Sequence, residues 1–293
     1  MSRIAYVNGR YVPHREAGVH VEDRGFQFAD SVYEVCEIWQ GKIVDMTRHL
    51  DRLARSLGEL EMAWPASRRA VEFIVKEVVQ RNRVRDGLVY LQVTRGKAKR
   101  DFPFPPAGTP STLVVTSRTQ SRAQAMKVTE EGIRVVTVPD IRWQRVDIKT
   151  TGMTAQVLAK ETAKRAGAKE AWMVDGEGRV TEGGSSTAWI VKQDGTLVTR
   201  PTTMNILPGI TRHAIMDYAA AQGITVEERP FSVEEAKAAR EAFITAATAI
   251  VSPVVQIDDA VLGNGRPGTI ASELRAHFHE GVEVQSLVQY PVT

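Results

Sequence analysis

Short runs of alternating apolar and polar residues, closed by residue pairs suited to tight turns, recur along the chain. In the opening stretch IAYVNGRYV, Asn8 and Gly9 separate two such runs, and Gln40 and Gly41 follow the alternating stretch SVYEVCEIW. An asparagine–glycine pair between apolar runs is typical of a two-residue hairpin, whose turn needs positive φ at both central positions. The N-terminal strands therefore predict an antiparallel sheet.

Helical periodicity follows these first strands. Leucines recur at helical spacing in TRHLDRLARSLGEL, where we expect Thr47 to cap the helix, and a second helix is predicted over SRRAVEFIVKEVVQRN. The next two stretches, GLVYLQVTRG and STLVVTSR, are rich in β-branched residues, as strands are. Residues 1–118 therefore predict a small N-terminal α+β domain.

The polar stretch TQSRAQAMK shows no apolar periodicity, so residues 119–130 are predicted to be an interdomain linker. Beyond it we expect a strand in GIRVVTVPDIRW, a helix from about Thr154 to Ala166, and glycine-punctuated strands up to LVTR. A capping box of Ser232 and Glu235, a strand-like AFITAATAIVSPVVQID and a final helix follow. Residues 131–293 thus predict a larger C-terminal domain, and the chain is predicted to be α+β with two domains.

Composition excludes several classes of protein. The 38 basic and 35 acidic residues are interspersed, which does not favour a nucleic-acid partner, and no apolar run is long enough for a membrane span. The opening residues do not resemble a secretory signal, so we expect a cytoplasmic protein. The single cysteine, Cys36, lies among alternating apolar residues and is predicted to be a packed strand residue.

Familiar catalytic motifs are missing or incomplete. The stretch DGEGR lacks the third glycine and the following helix of a dinucleotide site. His277 and His279 are two residues apart on a predicted helix and would point to different sides, so no metal site is expected.

Three other features carry chemistry. Lys149, in DIKTTG, follows an apolar residue and precedes a helix; if desolvated, its neutral amine could condense with a carbonyl. Glu182, in VTEGGSS, ends an apolar strand, where its carboxylate could hold a cation such as a protonated pyridine nitrogen. In LPGIT, the amides of Ile210 and Thr211 and the Thr211 hydroxyl could cradle a phosphate at a helix start. Each feature also has a structural alternative: Lys149 could be a surface lysine, Glu182 a solvated loop residue, and LPGIT an ordinary helix start.

Together, DIK, VTEGGSS and LPGIT, with EDRGFQFADSVYEV and HLDRL in the N-terminal half, resemble the pyridoxal-phosphate enzymes of fold type IV, and within them the D-amino-acid transaminases. This resemblance implies a two-domain fold whose C-terminal domain is a pseudo-barrel of strands and helices. It also implies a homodimer in which the substrate-carboxylate loop comes from the partner subunit. The implied activity is transfer of an amino group between a D-amino acid, D-alanine foremost, and a 2-oxo acid such as 2-oxoglutarate.

The resemblance also assigns roles by position. Lys149 matches the lysine that forms the internal aldimine with pyridoxal 5'-phosphate (PLP) and later moves the proton at Cα, and Glu182 matches the acid paired with the pyridine nitrogen. Arg52 of HLDRL matches the arginine that binds the phosphate, and Arg142 of DIRW a residue near the phenolic oxygen. The full set of cofactor-binding residues implied is Arg52, Lys149, Glu182, Ile210, Thr211, Arg142, Ser185, Ser186 and Thr248.

The chain departs from the family pattern at the substrate carboxylate. Tyr33 and Arg100 match the tyrosine and arginine that bind it, but Phe102 stands where the family has a histidine. Ala246 and Ala247 replace hydroxyl residues that face the phosphate, and Thr248 follows one position later. Because of Phe102, branched-chain L-amino-acid transaminase and (R)-amine transaminase remain alternative functions. Aminodeoxychorismate lyase and a non-catalytic cofactor-binding homologue are further alternatives.

Overall fold

The computed structural model describes residues 3–203 and 205–287; the remaining residues, which fall within the predicted domain ranges, lie outside the described part. The strands are β1 (Ile4–Val7), β2 (Arg10–Pro13), β3 (Ser31–Trp39), β4 (Lys42–Val44), β5 (Gly87–Thr94), β6 (Thr112–Thr119), β7 (Ile133–Pro139), β8 (Glu170–Val174), β9 (Val180–Gly183), β10 (Thr187–Val191), β11 (Leu197–Thr199), β12 (Val226–Glu228), β13 (Glu241–Ala246), β14 (Ile250–Ile257), β15 (Ala260–Val261) and β16 (Val284–Gln285). The α-helices are α1 (Arg24–Phe28), α2 (Met46–Glu59), α3 (Arg68–Arg81), α4 (Arg122–Glu131), α5 (Thr154–Arg165), α6 (Ile210–Ala221), α7 (Val233–Lys237) and α8 (Thr269–His277).

The chain divides into two compact units. The first consists of Met1–Ser121, Ile148–Gly152 and Glu283–Thr293, and the second of Arg122–Asp147 and Met153–Val282. The domain boundaries at residues 118 and 131 stay a prediction; in this division Ile148–Gly152 and residues 283–287, which lie in the predicted C-terminal range, group with the first unit.

The first unit is built on an antiparallel sheet whose described strands run in the order β16-β4-β3-β5-β6-β1-β2. The predicted hairpin turns are confirmed, since Asn8, Gly9, Gln40 and Gly41 all have positive φ. The leucines of α2 and the valines of α3 pack on the sheet to form the core, where Cys36 is fully buried. Burial raises the pKa of the Cys36 thiol, which agrees with its predicted packing role.

The start of α2 differs from the prediction. The helix begins at Met46 after Asp45, so Thr47 lies inside the first turn instead of capping it. Its hydroxyl donates a hydrogen bond of 3.0 Å to Glu283, which β16 brings there by pairing with β4. The same pairing explains why residues 283–287 belong to the first unit.

The second unit contains a mixed sheet that curls into a half-barrel, in agreement with the predicted pseudo-barrel. Its described strands run in the order β12-β11-β10-β13-β14-β7-β8-β9, with β15 paired to β14. Strand β7 pairs in parallel with both β14 and β8, while β10, β13 and β14 form antiparallel pairs. Helices and sheets in both units confirm the α+β prediction.

The structure adds detail to two predictions in the second unit. The presumed linker contains α4, a weakly amphipathic helix that buries none of its residues. The strand-like AFITAATAIVSPVVQID is an antiparallel hairpin of β13 and β14, because residues 247–249 form a turn.

Among the residues that the structure describes, no helix is long and apolar enough to cross a membrane.

Candidate active site

Lys149 lies in an extended segment beside β3 in the first unit. The amide of Tyr33 donates to the carbonyl of Lys149 at 3.0 Å, and the amide of Thr151 donates to the carbonyl of Ser31 at 3.2 Å. The preceding Ile148 is buried in the core of this unit. Backbone hydrogen bonds at Lys149 itself and at Thr151 therefore hold this segment along β3.

The Lys149 amine lies over an aromatic ring. Its Nζ is 4.2 Å from the centroid of the Tyr33 ring, which in turn lies 5.5 Å from the Tyr90 ring. The Tyr90 hydroxyl donates to Gln92 at 2.7 Å, and burial raises the pKa of Tyr90 above its ordinary value. The Lys149 side chain is thus half-buried, with its amine against the Tyr33 ring.

Arg52 is held by a buried carboxylate. Glu34, fully buried on the inward face of β3, accepts hydrogen bonds of 2.8 Å from both Nε and Nη2 of Arg52. It also accepts one of 2.7 Å from Nδ1 of His49. Burial alone would raise the pKa of Glu34, but the charge and hydrogen bonds of Arg52, helped by His49, lower it to about 2. The two-point contact with Glu34 fixes the plane of the Arg52 guanidinium.

Glu182 lies in a polar cluster in the second unit. Nη1 of Arg142 donates to the buried Glu182 carboxylate, and Nη2 donates to Asp140 at 2.6 Å. Thr181 donates to the same Asp140 carboxylate at 2.7 Å. Burial would raise the pKa of Asp140, but the Arg142 guanidinium lowers it below its usual value. Arg142 thus places its guanidinium in hydrogen-bond contact with the Glu182 carboxylate.

Ser185 and Ser186 share one acceptor. Ser185 is exposed and Ser186 is buried, and both hydroxyls donate to Glu170, at 3.2 and 3.1 Å. The Glu170 side chain is buried and lies 3.1 Å from Nζ of Lys160. A Cβ added to Gly183 would lie only 2.2 Å from the Ser186 hydroxyl oxygen, so the turn of VTEGGSS requires glycine there.

Ile210 and Thr211 open α6, and both are buried. Gly209 precedes them with extended backbone, and within the described part of the chain no side chain caps this helix. The first amides of a helix need an acceptor, so an uncapped start suits an anion. Thr248, by contrast, is exposed in the turn between β13 and β14, and no alternating strand orients its side chain.

Arg100 and Phe102 lie in the irregular loop between β5 and β6, and both are exposed. The Arg100 guanidinium lies 5.1 Å from the Phe28 ring centroid and 5.9 Å from that of Phe102. The two rings are 5.6 Å apart. The phenylalanine at position 102 therefore contacts Arg100 by stacking, where an imidazole would offer a hydrogen bond.

The predicted residues fall into two sets. Lys149, Tyr33, Arg52, Arg100 and Phe102 belong to the first unit, and the other predicted residues to the second. Within the first set Lys149 contacts Tyr33, and within the second Arg142 contacts Glu182.

Sequence reasoning missed the partners that orient these groups, namely Glu34, His49, Asp140 and Glu170. A signal was available for Glu34, which stands at an inward position of the alternating strand SVYEVCEIW. A carboxylate in a core-facing position requires buried cationic partners.

Comparison with known proteins gives consistent matches. The family described as amino-transferase class IV matches residues 31–257. A D-alanine aminotransferase of Bacillus licheniformis is 37% identical over 275 residues, covering 94% of this chain and 95% of the relative. One of Staphylococcus haemolyticus is 36% identical over 282 residues, covering 96% and 98%.

Solved structures match the fold over the same length. A branched-chain amino acid aminotransferase of Escherichia coli has a TM-score of 0.88 at 25% identity, covering 96% of this chain and 94% of that one. A branched-chain amino acid aminotransferase from T.th., complexed with N-(5'-phosphopyridoxyl)-L-glutamate, has a TM-score of 0.87 at 28% identity, with the same coverage.

Proposed function

The chain belongs to the amino-transferase class IV family, and we propose that it moves an amino group between a D-amino acid and a 2-oxo acid. D-Alanine is the proposed donor and 2-oxoglutarate a suitable acceptor. The observation that carries this proposal is the likeness to D-alanine aminotransferases at 36–37% identity over nearly the full length of both chains.

The proposed cofactor is PLP, and the residues present fit its groups. The uncapped start of α6 and the oriented guanidinium of Arg52 suit a phosphate, and the buried Glu182 carboxylate suits a protonated pyridine nitrogen. Lys149 supplies a half-buried amine for the aldehyde. When bound, PLP supplies the electron sink that stabilises negative charge at the substrate Cα.

The chain's own residues are proposed to do the remaining work. Lys149 holds the cofactor covalently and then moves a proton at the substrate Cα, for which its fixed backbone and aromatic contact give a defined position. Glu182, which accepts a hydrogen bond from Arg142, would hold the proton on the pyridine nitrogen. The hydroxyls of Ser185 and Ser186, oriented by Glu170, line the cofactor.

Arg100 and Tyr33 are proposed to bind the substrate carboxylate. A guanidinium binds a carboxylate through two hydrogen bonds, so Arg100 can serve without the histidine that Phe102 replaces. A homodimer is proposed as the active form. In support, the large apolar side chains Phe26, Phe102 and Phe104 of the first unit are 74%, 78% and 56% exposed.

A second candidate is transamination of branched-chain L-amino acids. The observation that favours it is the fold likeness to branched-chain amino acid aminotransferases at TM-scores of 0.87–0.88. The lower identity of these structures, 25–28%, favours the D-amino acid assignment.

Borohydride trapping tests the proposed chemistry. The PLP-loaded protein is reduced with borohydride and digested, and its peptides are sequenced by mass spectrometry. We expect the pyridoxyl label on Lys149, no label in K149A, and full labelling of Lys149 in the control K164A, which alters an exposed lysine of α5. A label on another lysine, or labelling that persists in K149A, would contradict the assignment.

A further inference from the structure

Arg24 is a buried arginine with partners at three points. It opens the short helix α1, and only 4% of its surface is exposed. Its Nε donates to Asp30 at 2.8 Å, its Nη1 to the carbonyl of Asp101 at 2.6 Å, and its Nη2 to the carbonyl of Phe102 at 3.3 Å. One guanidinium therefore ties the loop between β5 and β6 to the body of the first unit.

Asp30, which accepts a hydrogen bond from Arg24, also binds a second arginine. The same Oδ2 of Asp30 accepts a hydrogen bond of 2.7 Å from Nε of Arg95. The Nη groups of Arg95 donate to the carbonyls of Leu60 and Glu61, at 2.7 and 3.2 Å, and not to the loop residues that Arg24 contacts. Arg95 also places its guanidinium carbon 3.7 Å from the centroid of the Phe104 ring in the same loop. Arg24 and Arg95 thus share one carboxylate and both contact the loop, but Arg24 binds the two carbonyls that directly follow Arg100.

The two carbonyls that Arg24 holds directly follow Arg100. Residues 95–111 contain no helix or extended strand that would define the loop by itself. Arg24 also places its guanidinium carbon 4.9 Å from the centroid of the Phe28 ring, the ring on which Arg100 stacks. The carbonyl contacts fix the backbone after Arg100, and the shared ring limits its side chain.

We propose that Arg24 is a positioning residue that selects for substrates with a carboxylate, because it holds the Arg100 loop in its binding conformation. This inference rests on the proposed function. A loop released from Arg24 would sample other conformations. The apparent Kd for the carboxylate would then equal the intrinsic Kd divided by the fraction of time that the loop spends in the competent conformation. Arg24 and the loop that it binds belong to the same subunit. The proposed role of Arg24 is therefore the same whether the loop binds substrate in its own subunit or in the partner subunit.

The test uses PLP-loaded enzyme and the half-reaction with D-alanine in a stopped-flow instrument. The dependence of rate on D-alanine concentration separates an apparent Kd from a limiting rate. We expect R24M to raise the apparent Kd by about tenfold or more, as a loop competent for about a tenth of the time requires. The limiting rate and the PLP affinity are expected to change less than about twofold. R81M is the control, since it removes an arginine of the first unit that pairs with Glu77 on α3, and its Kd is expected to match wild type.

A double-mutant cycle separates the clamp from a general effect. If Arg24 acts through Arg100, R24M will raise the apparent Kd in the wild-type background and leave it unchanged in R100M. Equal effects of R24M in both backgrounds, or an unchanged Kd in R24M alone, would overturn the inference while the proposed function stands. A wild-type enzyme that does not react with D-alanine would instead overturn the proposed function.

Hydrogen–deuterium exchange provides a readout that a loss of overall stability would not reproduce. Faster exchange in R24M confined to residues 97–110, absent from R81M, is the expected result. Uniformly faster exchange across the first unit would show that Arg24 serves only the fold. Should R24M fail to fold, R24K is measured instead; it keeps the charge but lacks the geometry for both carbonyls, and an unaltered Kd in that variant would also count against the clamp.

Discussion

The buried pair of Glu34 and Arg52 gives the sharpest prediction about stability. In E34Q the amide can still accept one hydrogen bond from Arg52, but the guanidinium charge is left buried without its counter-ion. A pKa lowered from the ordinary 4.5 to about 2 corresponds to about 3 kcal/mol of stability at neutral pH. Breaking one side of a buried ion pair costs about 3–5 kcal/mol in general. Both estimates predict that E34Q lowers the free energy of unfolding by about 3 kcal/mol at neutral pH.

The sign of the pH dependence follows from the direction of the shift. Because the pKa of Glu34 is lowered in the folded protein, its stabilising contribution is complete above about pH 4.5 and is lost as the pH falls towards 2. By pH 4 the wild type is expected to have lost about 1 kcal/mol of this contribution, whereas E34Q has none to lose. The difference between the two proteins should therefore narrow in acid.

The assay is urea unfolding of the cofactor-free protein at pH 7 and pH 4, followed by circular dichroism. E72Q is the matched control: Glu72 pairs with Lys76 on the surface of α3, so its loss should cost less than about 1 kcal/mol. If E34Q is no less stable than E72Q at pH 7, the ion pair does not carry the energy assigned to it. If the difference in the free energy of unfolding between wild type and E34Q is larger at pH 4 than at pH 7, the predicted direction of the pH dependence is wrong.

Three further predictions concern the cofactor residues and the last helix. K149A should lose amino-group transfer by several orders of magnitude while its circular dichroism spectrum stays that of the wild type; measurable turnover at the wild-type rate would exclude Lys149 as the reacting amine. E182Q should slow the half-reaction by about a hundredfold, because a neutral amide holds the pyridine proton less well, with PLP still bound by absorbance; an unchanged rate would remove Glu182 from that role. Glu241 accepts hydrogen bonds from the amides of Ile270 and Ala271 at 3.2 and 3.1 Å and so caps α8; E241A should lower the free energy of unfolding by about 1–2 kcal/mol, and a loss near zero in thermal and urea unfolding would contradict the capping role.

Sequence patterns predicted the elements whose causes are local. The turns at Asn8 and Gly41 follow from residue types that tolerate positive φ, and the capping of α7 by Ser232 is present, with the Glu235 amide donating to its hydroxyl at 3.0 Å. The Glu235 side chain, however, pairs with Arg229 instead of completing the capping box. Local chemistry thus predicts where an element starts better than it predicts which side-chain partner is chosen.

The features that the sequence did not indicate have causes elsewhere in the chain or in no side-chain pattern. Helix α4 buries none of its residues, so no apolar periodicity was needed and none was visible. The return of β16 to β4 depends on pairing between distant residues, Val284 and Val44. The turn after β13 places Ile250 at a φ of 55°, a conformation that β-branched residues seldom adopt, and the sequence therefore did not indicate it.

The motif residues of the candidate site could be named from the sequence, but their supporting contacts could not. Arg52 was identified as an anion-binding residue, yet its fixed orientation depends on Glu34 and His49. These contacts join β3 to α2, and only the folded chain shows them.

The most direct test of the account is the half-reaction of the PLP-loaded protein followed in the visible spectrum. D-Alanine, L-leucine and an (R)-amine are added separately, with no acceptor present. The account predicts that D-alanine rapidly bleaches the band of bound PLP to that of the pyridoxamine form, while L-leucine and the amine react far more slowly. Bleaching by L-leucine or the amine in preference to D-alanine would contradict the proposed substrate, and a protein that binds PLP without reacting with any of the three would contradict the proposed activity.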